Sequence, residues 1–502
     1  MNEKKVQINK RGKGRVSREE IQDWSKEELI SKVLQLDAYN FQIRNLLQKK
    51  LGQSDGEFYE QLAKLEAGES PNVNNVPEVG QTKSNQKAHK RKFDFKNSHK
   101  RHVLMKLLYF GWDYHGLAVQ EDSNATIEHH LFQALIRTCL IESRETANYH
   151  RCGRTDKEVS AFCQVISIDL RSKYTPESQL QPESLANEID YCALLNRVLP
   201  RNIQAVAWMP LRSPVYSARF DCVERTYRYY FPKGDLCIES MQMGCELLAR
   251  HTDFRNFCKM DVNNGVTNYI RQIFKASVQR CEIEQNDADD DKDGYAMYML
   301  EIRANAFLWH QIRCIMAVLL LIGEKKEEPE VINELLDVQK NPCKPQYTPA
   351  IGLPLNLFHC AFRKNTIQPA NSESNSEHSA PPADEEHTTT WIYGEEHLQK
   401  LIEAVQGEWM QYNIKSTMIR DVLHQLEQIQ RREYKNSAPV QAQAWLLQDG
   451  VRPRQYQQLL NRKRCESLEN RIEHFIKKQR LVVTEEPATR SSQIIKSDTY
   501  KK

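Results

Sequence analysis

Two stretches of this chain lack the apolar residues needed to order themselves, and they confine the folded core to the interval between them. From Gly68 to about Ser98 the sequence turns to Ser, Asn, Pro, Gly and Lys. Residues 364–391 hold five acids (Glu373, Glu377, Asp384, Glu385 and Glu386), no Lys or Arg after Lys364, and many Ser, Pro and Thr. Neither stretch can bury enough hydrocarbon to offset the entropy of ordering, so both read as linkers. The chain then divides into an N-terminal region 1–66, a basic linker 67–100, a core 101–363, an acidic linker 364–391, a C-terminal region 392–480 and a disordered tail 481–502. A length of 502 residues suits such a division, since single cores stop growing well below it.

Within the core, apolar strands are expected near Val103 to Tyr109, Gln164 to Leu170, Thr226 to Phe231 and Tyr295 to Arg303. Helices are expected near Thr126 to Leu140 and Phe307 to Ile322, the latter with Leu308, Ile312, Ile315, Leu319 and Ile322 as its buried stripe and Gly323 as its stop. Helices interspersed with hairpin-spaced strands, rather than regular βαβ units, predict an α+β fold with a mostly antiparallel sheet.

The flanks carry charge and helical periodicity. Residues 1–66 read as a helix with Ser25 and Glu28 as a capping box and Asn40 in its apolar seam. A short two-stranded coiled coil and a helix packed on its own domain both fit that pattern. Between Gln86 and His102 seven Lys/Arg oppose the single Asp94, interleaved with Phe93 and Phe95. Contact with nucleic-acid phosphates, a nuclear import signal and a solvated tether all fit. A helical C-terminal region is expected from about Leu398 to Gln430. Nine Lys/Arg against three acids follow between Arg452 and Arg480, a phosphate-contacting surface or an ordinary basic helix.

Several classes are disfavoured. The thirteen cysteines include no C-x-x-C pair and no Cys/His spacing of zinc type, so they read as reduced thiols. Asp289-x-Asp291-x-Asp293-Gly294 matches half a calcium loop, but Leu300 stands where a bidentate glutamate is required and a strand follows. No metal site is expected. No apolar run is long enough for a membrane span, and a nuclear or cytoplasmic location is expected.

The stretch Arg151-Cys152-Gly153-Arg154-Thr155-Asp156-Lys157 sets one carboxylate among cations on a glycine turn ahead of a strand in which Ile166, Ile168 and Leu170 share a face. Such a group suits chemistry on an anionic substrate, although a lone Arg-x-Asp triplet is ordinarily a structural ion pair in a surface turn. Three further segments accompany it: Tyr109 to Gly116 (YFGWDYHG) with Gln120, Ser217 to Phe220 with Arg225 to Tyr229 (SARF and RTYRY), and Asn305 to Arg313 (NAFLWHQIR). In this order and spacing the four resemble the TruA-type tRNA pseudouridine synthases, closest to the eukaryotic branch that acts at positions 38 and 39. Asn196 to Ile203, Asp253 to Met260 and Arg462 to Phe475 extend the likeness.

That resemblance implies a two-lobed core with a central cleft, a homodimer, tRNA as partner, and isomerisation of uridine to pseudouridine in the anticodon stem-loop without metal or organic cofactor. By the same resemblance Asp156 is the nucleophile, Arg154 attends the flipped base, Tyr227 stacks on uracil, Leu308 with Phe307 walls the pocket, and Arg313 pairs with Asp156. Lys157, Arg225 and Arg228 are expected to contact the RNA backbone. The family places glycine where this chain has Glu158. If that position needs a positive φ, the glutamate costs about 1 kcal/mol or more, and its charge would crowd Asp156 unless it turns toward Lys157 or solvent. A tRNA-binding paralogue with impaired catalysis is therefore the competing expectation.

Overall fold

The computed structural model describes residues 5–8, 93–120, 123–181, 183–262, 266–281, 294–363, 391–434, 444–448, 455–477 and 481–484. All of them belong to one compact unit, Met1–Asn9 with Phe93–Lys502. The expected N-terminal helix with Asn40, the Lys87 to Lys92 cluster and Asp289 to Asp293 lie outside the described residues.

The strands are β1 (Lys5–Ile8), β2 (His99–Tyr109), β3 (His150–Arg151), β4 (Ser160–Ser172), β5 (Ile203–Pro210), β6 (Cys222–Pro232), β7 (His251–Asp253), β8 (Ile270–Arg280), β9 (Met297–Ala304), β10 (Leu355–Phe362) and β11 (Leu481–Thr484). The helices are α1 (Ile127–Arg137), α2 (Glu183–Ala186), α3 (Tyr191–Asn196), α4 (Ile238–Leu248), α5 (Gln311–Gly323), α6 (Val331–Leu336), α7 (Glu395–Glu433) and α8 (Leu468–Lys477). One nine-stranded sheet runs β5, β2, β4, β10, β6, β9, β8, β7, with β3 added against β4; β1 and β11 pair separately.

The main sheet is two antiparallel halves joined at one seam. There β4 and β10 run parallel through Asn356 opposite Ser160 and Leu357 opposite Ala161, the single parallel pairing among the described residues. This mixed, mostly antiparallel α+β architecture is the expected one. The seam matters because the loop of Asp156 enters β4 at Ser160, so the chemistry of residues 151–159 is delivered to the junction of the halves.

Strand β4 differs from its expectation. Val165 and Ser167 are as buried as Ile166 and Ile168, because β2 and β10 flank the strand and both its faces are covered. Strand β5, buried along all but Pro210, shows no alternation for the same reason and gives no period-2 signal. Arg101, counted in the basic cluster, is buried and paired with Glu188 at 3.0 Å, which makes it an internal ion pair rather than a phosphate contact.

Helix α5 begins at Gln311, not Phe307. His310 takes a left-handed conformation (φ 59°, ψ 14°) at its N-cap, which no α-helix accommodates, and the turn is closed reciprocally by Leu308 N donating to Gln311 Oε1 (2.8 Å) and Gln311 N donating to Leu308 O (3.1 Å). All of α5 except Arg313 is buried. A helix apolar around its whole circumference is a core element, and each such leucine or isoleucine contributes about 1.5–3 kcal/mol by leaving water. The long α7 does the opposite: only His397 and Leu401 of it are buried.

Candidate active site

The loop between β3 and β4 is fixed from several directions. Arg151, at its start, pairs with the fully buried Glu128 of α1, which also holds Arg144 and Tyr149. Arg225 of β6 donates from Nε and Nη2 to Cys152 O at 3.2 and 2.7 Å, and from Nη1 to Asn305 O at 2.7 Å. Tyr109 Oη and Thr155 Oγ1 share a hydrogen bond of 2.7 Å. Leu117 N donates to Thr155 O and Glu158 N to Tyr114 O. The YFGWDYHG segment is thus a cradle for this loop.

Two glycines permit the approach. A Cβ on Gly111 would stand 2.0 Å from Val159 O, and one on Gly352 would stand 2.6 Å from Lys157 O. Backbone atoms cannot yield at such separations, so these positions exclude any side chain unless the loop moves.

Asp156 emerges from the cradle with a quarter of its side chain exposed. Its Oδ2 lies 3.6 Å from Arg313 Nη1 and 3.4 Å from His310 Nε2, and those two nitrogens are 3.4 Å apart. Arg313 is steadied by donating from Nε to Ala350 O at 2.6 Å. Burial pushes the His310 imidazole down to about 4, with Asp156 opposing and Arg313, Lys259 and Lys344 reinforcing the shift. At neutral pH His310 is therefore uncharged, and the cation beside Asp156 is Arg313.

An aromatic wall stands beside the same loop. Tyr227 of β6 is almost fully buried, its ring edge to face with Phe307 at 5.2 Å. Its hydroxyl is 3.9 Å from where a Gly153 Cβ would lie. Burial, then the Cys152 and Cys360 sulfurs, pushes this phenol well above its ordinary value, so it stays protonated. Leu308 is buried beside them, while Trp309 is 41% exposed with Lys259 Nζ 4.2 Å from its ring centroid.

The cationic residues separate into two kinds. Arg154 is exposed and makes no hydrogen bond or ion pair among the described residues. Partial burial and then the neighbouring Arg151 and Arg219 push its pKa down, the signature of a crowded positive site that an anion would relieve. Lys157 is also exposed and points to Glu158 at 3.2 Å. Arg225 and Arg228 are differently placed. Arg225 is spent on the carbonyls above, and Arg228 pairs with Glu301 at 2.9 Å with its guanidinium 3.5 Å from the Phe358 ring centroid. The expectation that these two serve RNA phosphates gains nothing from this geometry, because the Arg225 donors and the Arg228 Nε already have internal partners.

Glu158 has φ 67°. The position does demand the left-handed region, and the glutamate is accommodated by turning its carboxylate toward Lys157 rather than Asp156. His310 was part of a sequence motif but carried no assigned role; its place three residues before Arg313 was the available signal.

A family profile described as tRNA pseudouridine synthase matches residues 247–363. A mouse protein named tRNA pseudouridine(38/39) synthase is 42% identical over 412 residues, covering 78% of this chain and 80% of that protein. The Saccharomyces cerevisiae protein of the same name is 34% identical over 344 residues, covering 68% and 71%, and tRNA pseudouridine synthase A of Methanosarcina barkeri is 28% identical over 260 residues, covering 50% and 82%. An extended match of this kind, joined to a loop aspartate braced by the segments that first carried the resemblance, has one reading: the chain belongs to the tRNA pseudouridine synthase family.

Proposed function

We propose that this protein isomerises uridine to pseudouridine in tRNA, at positions 38 and 39 of the anticodon arm, with Asp156 as the nucleophile. The observation that supports the reading best is the placement of Asp156: partly open to solvent, held on a braced loop at the seam of the sheet, and paired with the guanidinium of Arg313. The ionised carboxylate is the form that attacks, and Arg313 supplies a cation beside it. The relatives' names supply the substrate and the two positions.

The reaction breaks the bond from N1 of uracil to the sugar, turns the base, and forms a bond from C5 to the same sugar carbon, with the C5 hydrogen leaving as a proton while N1 takes one up from solvent. A base stacked in the anticodon arm is out of reach until it is extruded, at a cost of a few kcal/mol. Arg154, unpaired and crowded by like charge, is suited to the phosphate or the space that the nucleotide vacates. Tyr227 with Phe307 and Leu308 presents an apolar, aromatic wall on which a uracil can stack. A neutral phenol and a neutral His310 add hydrogen-bonding capacity without competing with Asp156 for charge.

The reading of a catalytically impaired tRNA binder rested on Glu158, and the carboxylate of Glu158 faces Lys157. The test is tritium release from tRNA labelled at C5 of uridine. Turnover is expected in the wild type and background release in Asp156→Ala, with tRNA affinity retained. Equal release from both proteins would refute the assignment. Sequencing the modified positions then decides between 38 and 39 and any other site.

A further inference from the structure

Directly behind the loop of Asp156, three cysteines from distant parts of the chain converge. Cys152 follows β3, Cys222 opens β6 and Cys360 lies in β10; all three are buried, and their sulfurs lie within 4.8 Å of one another. The sulfurs of Cys152 and Cys360 are 3.4 Å apart across 208 residues of sequence. No spacing rule finds such a group, which is why the cysteines read as isolated thiols.

A buried free cysteine is ordinarily packing, and two features set this trio apart. Among the described residues, no other set of three His, Cys, Asp or Glu side chains brings its ligand atoms so close. The second feature is a half-buried cation beside it. Arg225, three residues along β6 from Cys222, is anchored to Cys152 O through both Nε and Nη2. Three thiolates around a divalent ion carry one net negative charge, which is costly in an apolar interior unless a cation neutralises it. Arg225 stands where that cation is needed.

Distances favour the same occupant. Zinc with bonds of about 2.3 Å in tetrahedral array holds its sulfurs about 3.8 Å apart. One sulfur pair here is at 3.4 Å and none is beyond 4.8 Å, so rotation about the side-chain bonds reaches the ion. Gln164 Oε1, 3.2 Å from Cys152 Sγ, offers a neutral oxygen near the fourth position.

We propose that Cys152, Cys222 and Cys360 form a trithiolate site for a soft divalent cation of the zinc class, which staples the start of the Asp156 loop to β6 and β10. Binding releases the thiol protons to solvent, so retention weakens in acid. The role is structural and the ion touches no substrate, so the inference stands apart from the reaction proposed above.

The test uses the full chain purified under reducing conditions, stripped with chelator, supplied with equimolar zinc and freed of excess. Metal is counted by mass spectrometry, and the zinc K-edge absorption of the loaded wild type reads its neighbours. The expected result is one zinc per chain with three sulfur neighbours at about 2.3 Å, lost in both Cys222→Ser and Cys360→Ala. Failure of the wild type to retain zinc, a first shell dominated by nitrogen and oxygen, or equal retention in folded variants each overturns the proposal. If neither variant folds, the wild-type spectrum alone decides it.

Discussion

Arg313 Nη1 lies 3.6 Å from Asp156 Oδ2, and Arg313 is the one residue of α5 that is not buried. The two facts belong together. The helix is held by its apolar flanks, so the guanidinium is delivered from a rigid support, and its Nε is simultaneously tied to Ala350 O ahead of β10. One side chain thereby connects the core helix, the loop before β10 and the carboxylate at the seam of the sheet.

Substituting lysine separates these duties. A single ammonium cannot bond Ala350 O and face Asp156 in the way a planar fork does. Losing one charge-assisted contact is worth about 1.5–3 kcal/mol, so kcat/KM of Arg313→Lys is expected to fall roughly 10- to 150-fold, with little change in unfolding temperature. Steady-state tritium release checks the rate. Wild-type kinetics in the lysine variant would remove Arg313 from the account.

Glu158 gives a test of opposite sign. Its φ of 67° costs an L-residue about 1–2 kcal/mol, against which stand the greater unfolded-state freedom of glycine and an exposed pair with Lys157 of small worth. Glu158→Gly is expected to stabilise the protein by about 0.5–1 kcal/mol and to leave turnover intact. Chemical denaturation measures it; a destabilised variant would mean the carboxylate holds the loop in some way other than its contact with Lys157.

The extent to which the sequence disclosed this arrangement follows from the range of each interaction. Asp156 and Arg154 were legible because a contiguous stretch presents them, and Arg313 because its motif is local. The clamp by Arg225 was not, since its acceptor, Cys152 O, lies 73 residues away and backbone carbonyls leave no mark in sequence. The early end assigned to α5 failed at His310, where the backbone turns left-handed while the apolar periodicity runs on without a break. Strand β5 was missed because both its faces are covered, which erases the alternation by which strands are recognised. The demand for a positive φ at Glu158, by contrast, was foreseeable from the glycine that the family keeps there.

Tyr227 separates stacking from hydroxyl chemistry. Its ring is fixed edge to face against Phe307, and its phenol stays protonated. If the ring is the working part, Tyr227→Phe keeps activity to within a few-fold while Tyr227→Ala loses the stacking of one base, about 1–3 kcal/mol or roughly 5- to 150-fold. Single-turnover rates on one tRNA compare the two. A phenylalanine variant as damaged as the alanine variant would transfer the role to the hydroxyl.

The last expectation concerns acid. His310 has its pKa pushed by burial to about 4 in the folded protein, against an ordinary value near 6.5 in an unfolded chain. Between those values the unfolded state binds the extra proton, so stability rises with pH across the window and is lost as pH falls from about 6.5 to about 4. Above that window His310 contributes no slope. The informative quantity is a difference, because it isolates His310: the unfolding temperature of His310→Gln is expected to fall less steeply than that of the wild type from pH 6.5 to 4, and the two curves are expected to run parallel from pH 7 to 8. Superimposable curves throughout would show that the imidazole is protonated in the folded protein as readily as in the unfolded chain. Asp156 would then face two cations in mild acid, and the assignment of Arg313 as the cation that accompanies it would hold only at higher pH.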